Sequence, residues 1–451
     1  MLAVSPSTAA IDVGSSLSLS VTDASNAQVC QWVSSDEDVL EIVSAGNVFG
    51  KSPGTATVSA ECGSSFATAS VAVSHPPATT ITITKGGTYT GDWKSDDPNT
   101  PAVTVTTDDP VTITNSVISG RGTLIRVYGA GNANVTITNT TGIGMDPMVA
   151  GMARGKFVDA EKMASITVQN CTMRGTSFGV DVASSTMTAL SIKNNVGIDL
   201  DDRVSDGMGG TILNERVLGH FIILNQDSLL NGGEIAWNQI INAPGKASIE
   251  DIINVYESHG KDKATPLRIQ DNYLEGAFAA GQTTAYTGSG IQFDGGTNDP
   301  TLASGFADVS KNVVVRTANT GISIAAGHDI SIRNNRVVSC GQDGLGHWDN
   351  FGGVGFPMWN DYNTQQFFNN TMSENTGGLV RIEVGEPTIG DLWVPSFPDA
   401  LRINANGNHF DDPCWVNGVV SQSAEAAERS AWLDRVAQAD EVLGDTHISA
   451  K

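Results

Sequence analysis

Through the first 76 residues apolar and polar positions alternate with period two in five short runs, SLSLSVTD, AQVCQWVSSD, VLEIVSAG, TATVSAECG and FATASVAVS, parted by Gly, Ser and Asp. Such alternation marks strands with one buried face, so this segment predicts a small β-sandwich. From about Thr80 one phrase recurs: an alternating apolar strand, an Asn, then a second short apolar strand. VTITNSVISG, ITVQNCTMRG, LSIKNNVG, LRIQDNYLEG and ISIRNNRVVS are examples. Placing the repeat at Asn115, Asn139, Asn170, Asn195, Asn238, Asn272, Asn312, Asn335, Asn370 and Asn408 gives steps of 23 to 43 residues. Strand, bend and strand returning at a minimum of about two dozen residues is what a parallel β-solenoid requires, with coils stacked about 4.8 Å apart over inward Val and Ile. Asn suits the bend because it tolerates the left-handed conformation and its amide can bond to the next Asn of the stack. The excess over the shortest step is loop, gathered on one flank where such folds keep binding surfaces. After Asp411 the period becomes helical. Ala426, Trp432, Leu433, Val436 and Val442 share a face, with Ser423 as N-cap and Gly444 as stop, and this helix is expected to cover an open end of the solenoid. The expected class is all-β: a sandwich over 1–76, a parallel β-helix over 77–410 and a short helical cap or tail over 411–451.

Composition narrows the partners. The 49 Gly and a charged fraction of 16% suit short strands and turns. A net charge of −24 excludes nucleic-acid backbones and anionic membranes, which need a positive field. No stretch of about 18 apolar residues appears, so no membrane insertion is expected, and the N-terminal MLAVSPSTAAIDVG lacks the basic and apolar regions of a signal peptide. Export through a signal removed before this numbering, or release by host lysis as for virion components, remain as routes. Cys30 and Cys62 lie in alternating runs and form either a disulfide or two buried thiols. Cys171, Cys340 and Cys414 are scattered and read as small core residues.

Trp32 to Asp36 (WVSSD), the run VLEIVSAGNVFGKSPGTATVSA with Gly46 and Gly54, and the closing ASVAVS resemble the bacterial immunoglobulin-like domains of group 2, which recur in surface adhesins and phage virion proteins. That resemblance implies a core position for Trp32. Residues 80 to 410 resemble the right-handed parallel β-helix proteins of the pectin-lyase-like superfamily. Within it, Glu250 to Gly260 (E-D-x-I-x-x-Y-x-S-x-G), Pro266 with Arg268 to Asn272, Gly288 to Ile291, Gly321 to Gly327 and Gly352 to Asn360 resemble a set of β-helix repeat proteins without a settled activity. The resemblance thus bears on fold more than on chemistry.

β-Helices of this class act on polysaccharides as lyases, as hydrolases or as plain binders. In chondroitinase-B-like and alginate lyases a similar E-x-I-x-x-K-S phrase supplies a calcium ligand and a Lys base, followed by an Arg acid. The comparison gives Glu250, or else Asp251, the metal role, makes Ca2+ the candidate cofactor and makes Arg268 the candidate acid, but Tyr256 or Glu257 stands where the Lys should be. Tyr256 could act as base only with its hydroxyl pKa lowered from about 10. Hydrolysis needs paired carboxylates. Stacking can bring Asp251 or Glu257 of one coil against Asp294 of the next, with His259 nearby, whereas the polygalacturonase signature is not present in order. The densest aromatic and polar cluster, GLGHWDNFGGVGFPMWNDYN, offers His347, Trp348, Asp349, Trp359 and Tyr362 as glycan contacts. Asp199, Asp201, Asp202 and Asp206 form an acidic loop with enough oxygens for calcium but no EF-hand spacing. The expectation is an extracellular or virion-surface protein whose partner is a polysaccharide, most economically a virion spike that binds or depolymerises a bacterial surface glycan. A homotrimer or a virion attachment partner would accompany that role. A secreted lyase or glycoside hydrolase and a non-catalytic adhesin are the alternatives.

Overall fold

A computed structural model describes residues 2–12, 15–22, 30–51, 54–74, 79–129, 131–278, 287–341, 353–383, 386–417 and 419–444. They divide into two compact units, 1–79 and 80–444.

In the first unit the alternating runs form a four-stranded sheet of Thr8–Asp12, Ser65–Ser74, Gly54–Cys62 and Gln31–Ser34, and a three-stranded sheet of Ser16–Ser18, Asn47–Gly50 and Leu40–Ser44. Leu19, Leu40, Val48, Val58 and Val71 are buried. Cys30 and Cys62 are joined in a disulfide. Trp32, expected in the core, is half-buried, and its ring approaches Gly46. Gly46 itself has φ of 77°, and a Cβ there would lie 2.3 Å from the Leu19 carbonyl oxygen, so no larger residue fits.

The second unit is built from three sheets, of nine, ten and eleven strands, whose neighbours are one coil apart in sequence. Every pairing within them is parallel except the last of the third sheet, Thr376–Glu383 with Glu386–Ile389. In each coil the chain contributes one strand to each sheet in turn. Inward Ile, Val, Leu and Phe from all three sheets form one continuous core.

The corner between the second and third sheets explains the Asn repeat and corrects its register. Asn195, Asn238, Asn272, Asn312, Asn335, Asn375 and Asn408 stand in a stack, each amide nitrogen bonded to the next Asn's Oδ1 at 2.8–3.1 Å. Successive separations are 43, 34, 40, 23, 40 and 33 residues. Cys171 donates its backbone N–H to Asn195 and so holds the same place one coil earlier. Asn115, Asn139 and Asn170 are the residues one step before the stack, in the left-handed conformation with φ of 48–55°. Later coils put Trp237, Asp271, Lys311 and Glu374 there, also left-handed. Two adjacent positions therefore attract Asn for different reasons, one for its backbone freedom and one for its buried amide, and the repeat phrase merges them. Asn370 belongs to another corner, where its Oδ1 accepts from Ile330 N–H.

The C-terminal helix spans Ser423–Gln438. It lies along the outer face of the third sheet instead of over an end. Trp432, Val436 and Leu443 pack with Val196, Tyr273, Val313 and Val315. Trp432 Nε1 donates to the Asp271 carbonyl at 2.8 Å, Arg316 pairs with Glu425 and Arg336 with Glu428, and Arg435 pairs with Asp271. Continuous runs such as Val313–Val315 carry the sequence trace of this arrangement, because a strand covered on both faces loses its alternation. A second disulfide, Cys340–Cys414, ties the segment leading into the helix to the third sheet; these two cysteines are therefore not the independent core thiols expected. Cys171 is the buried free thiol.

Candidate functional site

Side chains on the outer face of the first sheet follow from the strand period. In Asp251–Tyr256 and Ser289–Asp294, Ile253, Val255, Ile291 and Phe293 point into the core, so Asn254, Gln292 and Asp294 point out. Parallel pairing sets Asn254 beside Gln292, Tyr256 beside Asp294 and Gln292 beside Ser323, and isolated bridges carry the sheet on to Val354 and Met358. Above these rows lies a cavity of about 530 Å³. Its lining includes Glu250, Asp251, Gln292, Asp294, Trp359, Asp361, Tyr362 and Trp393.

Glu250 and Asp251 form one wall. Asp251 is buried, with Oδ1 accepting from Ser289 N–H at 3.3 Å and Oδ2 from Asn254 Nδ2 at 2.9 Å. Burial raises its pKa, and the Asp294 charge adds to the rise against these hydrogen bonds. Glu250 is raised by burial and by its neighbour Asp251, with Arg216 opposing. Two carboxyls held together out of water do not ionise independently, so the pair retains a proton at neutral pH. Buried His220 adds to this. Its pKa is lowered to about 4 by burial, so the ring is neutral. Nδ1 lies 3.1 Å from the Asp251 carbonyl and donates to it, which leaves the Nε2 lone pair facing Glu250 Oε2 at 3.4 Å. A protonated Glu250 satisfies that geometry.

Much of the remaining lining is aromatic. Tyr362 donates its hydroxyl to Asp294 Oδ1 at 2.5 Å, and its own pKa is raised by burial and by Asp294. Trp359 Nε1 donates to Asp361 Oδ1 at 2.9 Å, and the Trp359 and Trp393 rings stand 5.8 Å apart at 51°. Tyr362 and Trp393 are 45% and 48% exposed, so both offer ring faces to the cleft.

Of the residues expected from sequence, Asp251, Asp294, Glu250, Trp359 and Tyr362 converge here. Others do not. Glu257 closes a corner with φ of 46°, its carboxylate accepting from Thr297 N–H and Gln226 Nε2. His259 sits at the next corner against Ser228, Gly260 and Thr301. Arg268 is exposed on the second sheet, between Glu234 and Asp308 of the adjoining strands, a different face of the solenoid. His347, Trp348 and Asp349 lie outside the described residues. The carboxylates of Asp199, Asp201, Asp202 and Asp206 are engaged by the protein itself, accepting from Ala243 N–H, Arg203, Gly219 N–H and Met208 N–H in turn. Trp393 and Gln292 were not marked by any sequence signal beyond their residue types. Asp227 and Asp391 are also raised to about 7 by burial, but neither lines the cavity, so a shifted pKa alone does not make a site.

Calcium fits poorly. It takes six to eight oxygens, whereas the metal-like cluster here is His220, Glu250 and Asp251, one imidazole with two carboxyls whose ligand atoms lie within 4.8 Å. Both Asp251 oxygens already accept hydrogen bonds. The calcium role expected of Glu250 is thus not supported by the donor set.

The family profile of the bacterial Ig-like domain (group 2) matches residues 1–73. No curated protein matches the chain. Among solved structures, the chain is similar to the family 28 exopolygalacturonase of Yersinia enterocolitica at 12% identity, with 88% of this chain and 89% of that chain covered and a TM-score of 0.40. Residues 1–73 are a bacterial Ig-like domain of group 2, and the coils that follow form a right-handed parallel β-helix of three sheets.

Proposed function

We propose that this protein works outside the cell on a polysaccharide laid along the outer face of the first sheet, and that it hydrolyses a glycosidic bond there. The observation that carries the proposal is the meeting, in the lining of one cavity, of a proton-holding carboxyl pair, Glu250 and Asp251, with Asp294, whose Oδ1 accepts the Tyr362 hydroxyl. Unlike environments for two carboxyl groups are what acid–base cleavage of a glycoside needs. The pair gives its proton to the glycosidic oxygen as the bond to the anomeric carbon breaks. Asp294 takes the complementary part, as nucleophile or as base for the water that adds to that carbon. Trp359, Trp393 and Tyr362 supply ring faces for the sugars.

A β-eliminating lyase is less well supported. Tyr256, which stands near the missing Lys, has its pKa raised by burial and by Glu257 and Asp294, so its hydroxyl holds its proton more tightly than a base should. Two disulfides and the Ig-like module fit an extracellular setting. The finer role of a homotrimeric virion spike rests on the economy of an Ig-like module joined to a β-helix; light scattering of the full chain tests it, and a monomer speaks against it.

Incubation with a panel of polysaccharides checks the activity. New reducing ends without the ultraviolet absorbance of an unsaturated uronate, lost in Asp251→Asn and Asp294→Asn, is the expected result. Unsaturated products would make the protein a lyase, and retention without cleavage would make it an adhesin.

A further inference from the structure

Among the described residues lining the cleft, every Asp, Glu, His, Lys or Arg is acidic: Glu250, Asp251, Asp294 and Asp361. No Lys or Arg lines it. The stretches 279–286 and 342–352, outside the described residues, contain no Lys or Arg in their sequence. Arg216 is the cation whose field reaches Glu250, and the same charge also acts on Asp202. The polar groups that remain are neutral, chiefly the amides of Gln292 and Asn319, and the open wall is the aromatic surface of Trp359, Trp393 and Tyr362.

A polyuronate brings a carboxylate on every sugar and needs cations to receive it. We infer that the cleft takes an uncharged polysaccharide and excludes polyuronates, an inference that rests on the polysaccharide reading above. Sugar hydroxyls can donate to the carboxylates and exchange hydrogen bonds with the amides, while the C–H faces of neutral hexoses lie on the Trp rings. A uronate carboxylate about 6 Å from one cleft carboxylate would be disfavoured by roughly a hundredfold at an effective dielectric constant of about 20, and it would meet more than one. The acidic residues, with Glu250 and Asp251 sharing a proton between them, thus serve as a filter as well as a source of chemistry.

The test uses polymers matched in backbone and differing in charge. Polygalacturonate and its carboxyl-reduced galactan, alginate and its carboxyl-reduced form, a neutral glucan and a neutral mannan are each cast into native gels. Retardation of the full chain is measured for wild type, Trp359→Ala and Gln292→Arg. At least one neutral polymer should retard wild type, with a drop of about tenfold or more in affinity for Trp359→Ala, and neither polyuronate should. Gln292→Arg places a cation at the cleft centre and should raise polyuronate retention about tenfold. Wild-type binding or cleavage of a polyuronate in preference to its reduced form overturns the inference. If that preference also depends on Trp359, the cleft remains the site and only its charge selection is wrong. Retention by none of the six polymers overturns both this inference and the proposed function.

Discussion

Asp251→Asn should make this protein more stable at alkaline pH while removing its activity. The carboxyl is raised from 3.8 to about 7, first by burial. A carboxyl whose folded-state pKa is raised binds its proton more tightly in the native state. Its contribution to stability is full below pH 3.8 and is lost as pH rises through about 7. At 1.36 kcal/mol per pKa unit the loss is about 4 kcal/mol, and because Glu250 shares the proton we assign about 2–4 kcal/mol to Asp251. The amide would fit. Asn254 now donates Nδ2 to Asp251 while its own Oδ1 is buried without a partner, so a flip of the Asn254 amide lets the new side chain donate to that oxygen. Urea unfolding followed by Trp fluorescence reports on the β-helix, since Trp32 alone of the eight Trp lies in the Ig-like unit. The stability of Asp251→Asn minus that of wild type should grow by about 2–4 kcal/mol between pH 4 and pH 8. A difference that stays flat over this range, or shrinks, would refute the assignment of a strained, proton-holding carboxyl to this wall.

Tyr362→Phe removes one hydrogen bond to Asp294 and should lower kcat by about tenfold with little change in KM, whereas Asp294→Asn should cost about a hundredfold to ten-thousandfold; steady-state kinetics on the cleaved polymer compares them. Wild-type kcat should fall as pH rises through the deprotonation of the Glu250–Asp251 pair, and a rate that instead climbs there contradicts the acid role. Asn272→Ala leaves the Asn238 N–H without its acceptor inside the stack and should cost about 2–4 kcal/mol, against about 1 kcal/mol for half-buried Asn408→Ala; equal costs in urea unfolding would mean that the stack is not cooperative. Replacing Cys340 and Cys414 together by Ala opens a closure of 74 residues, worth about 4 kcal/mol as loop entropy, and should speed amide exchange in Ser423–Gln438 while leaving residues 54–74 unchanged.

The cleft was partly legible. Asp251 and Asp294 could be named as opposing candidates because stacked coils bring equivalent positions together, and the tryptophan-rich phrase pointed to Trp359 and Tyr362. Glu257 and His259 share the same short stretch as Asp251, yet the chain turns a corner at Glu257 and carries them away from the cavity. Arg268 fails for a related reason: it belongs to the next strand, on another sheet. Distance along the sequence does not reveal which of three faces a residue occupies.

By itself the sequence determined the class of both units, because hydrophobic period and bend residues are local quantities. Period-two alternation required strands, and an Asn bend returning every two dozen residues or more required stacked coils. The tertiary structure decided what depends on stacking register. It chose Asn195, Asn238 and Asn272, and not their left-handed neighbours, for the buried stack. It laid the helix along the third sheet, linked Cys340 to Cys414 and set Trp393 beside Trp359. It also set half-buried Glu250 beside buried Asp251 against neutral His220, and this packing, which raises both carboxyl pKa values, is what the proposed proton donor rests on.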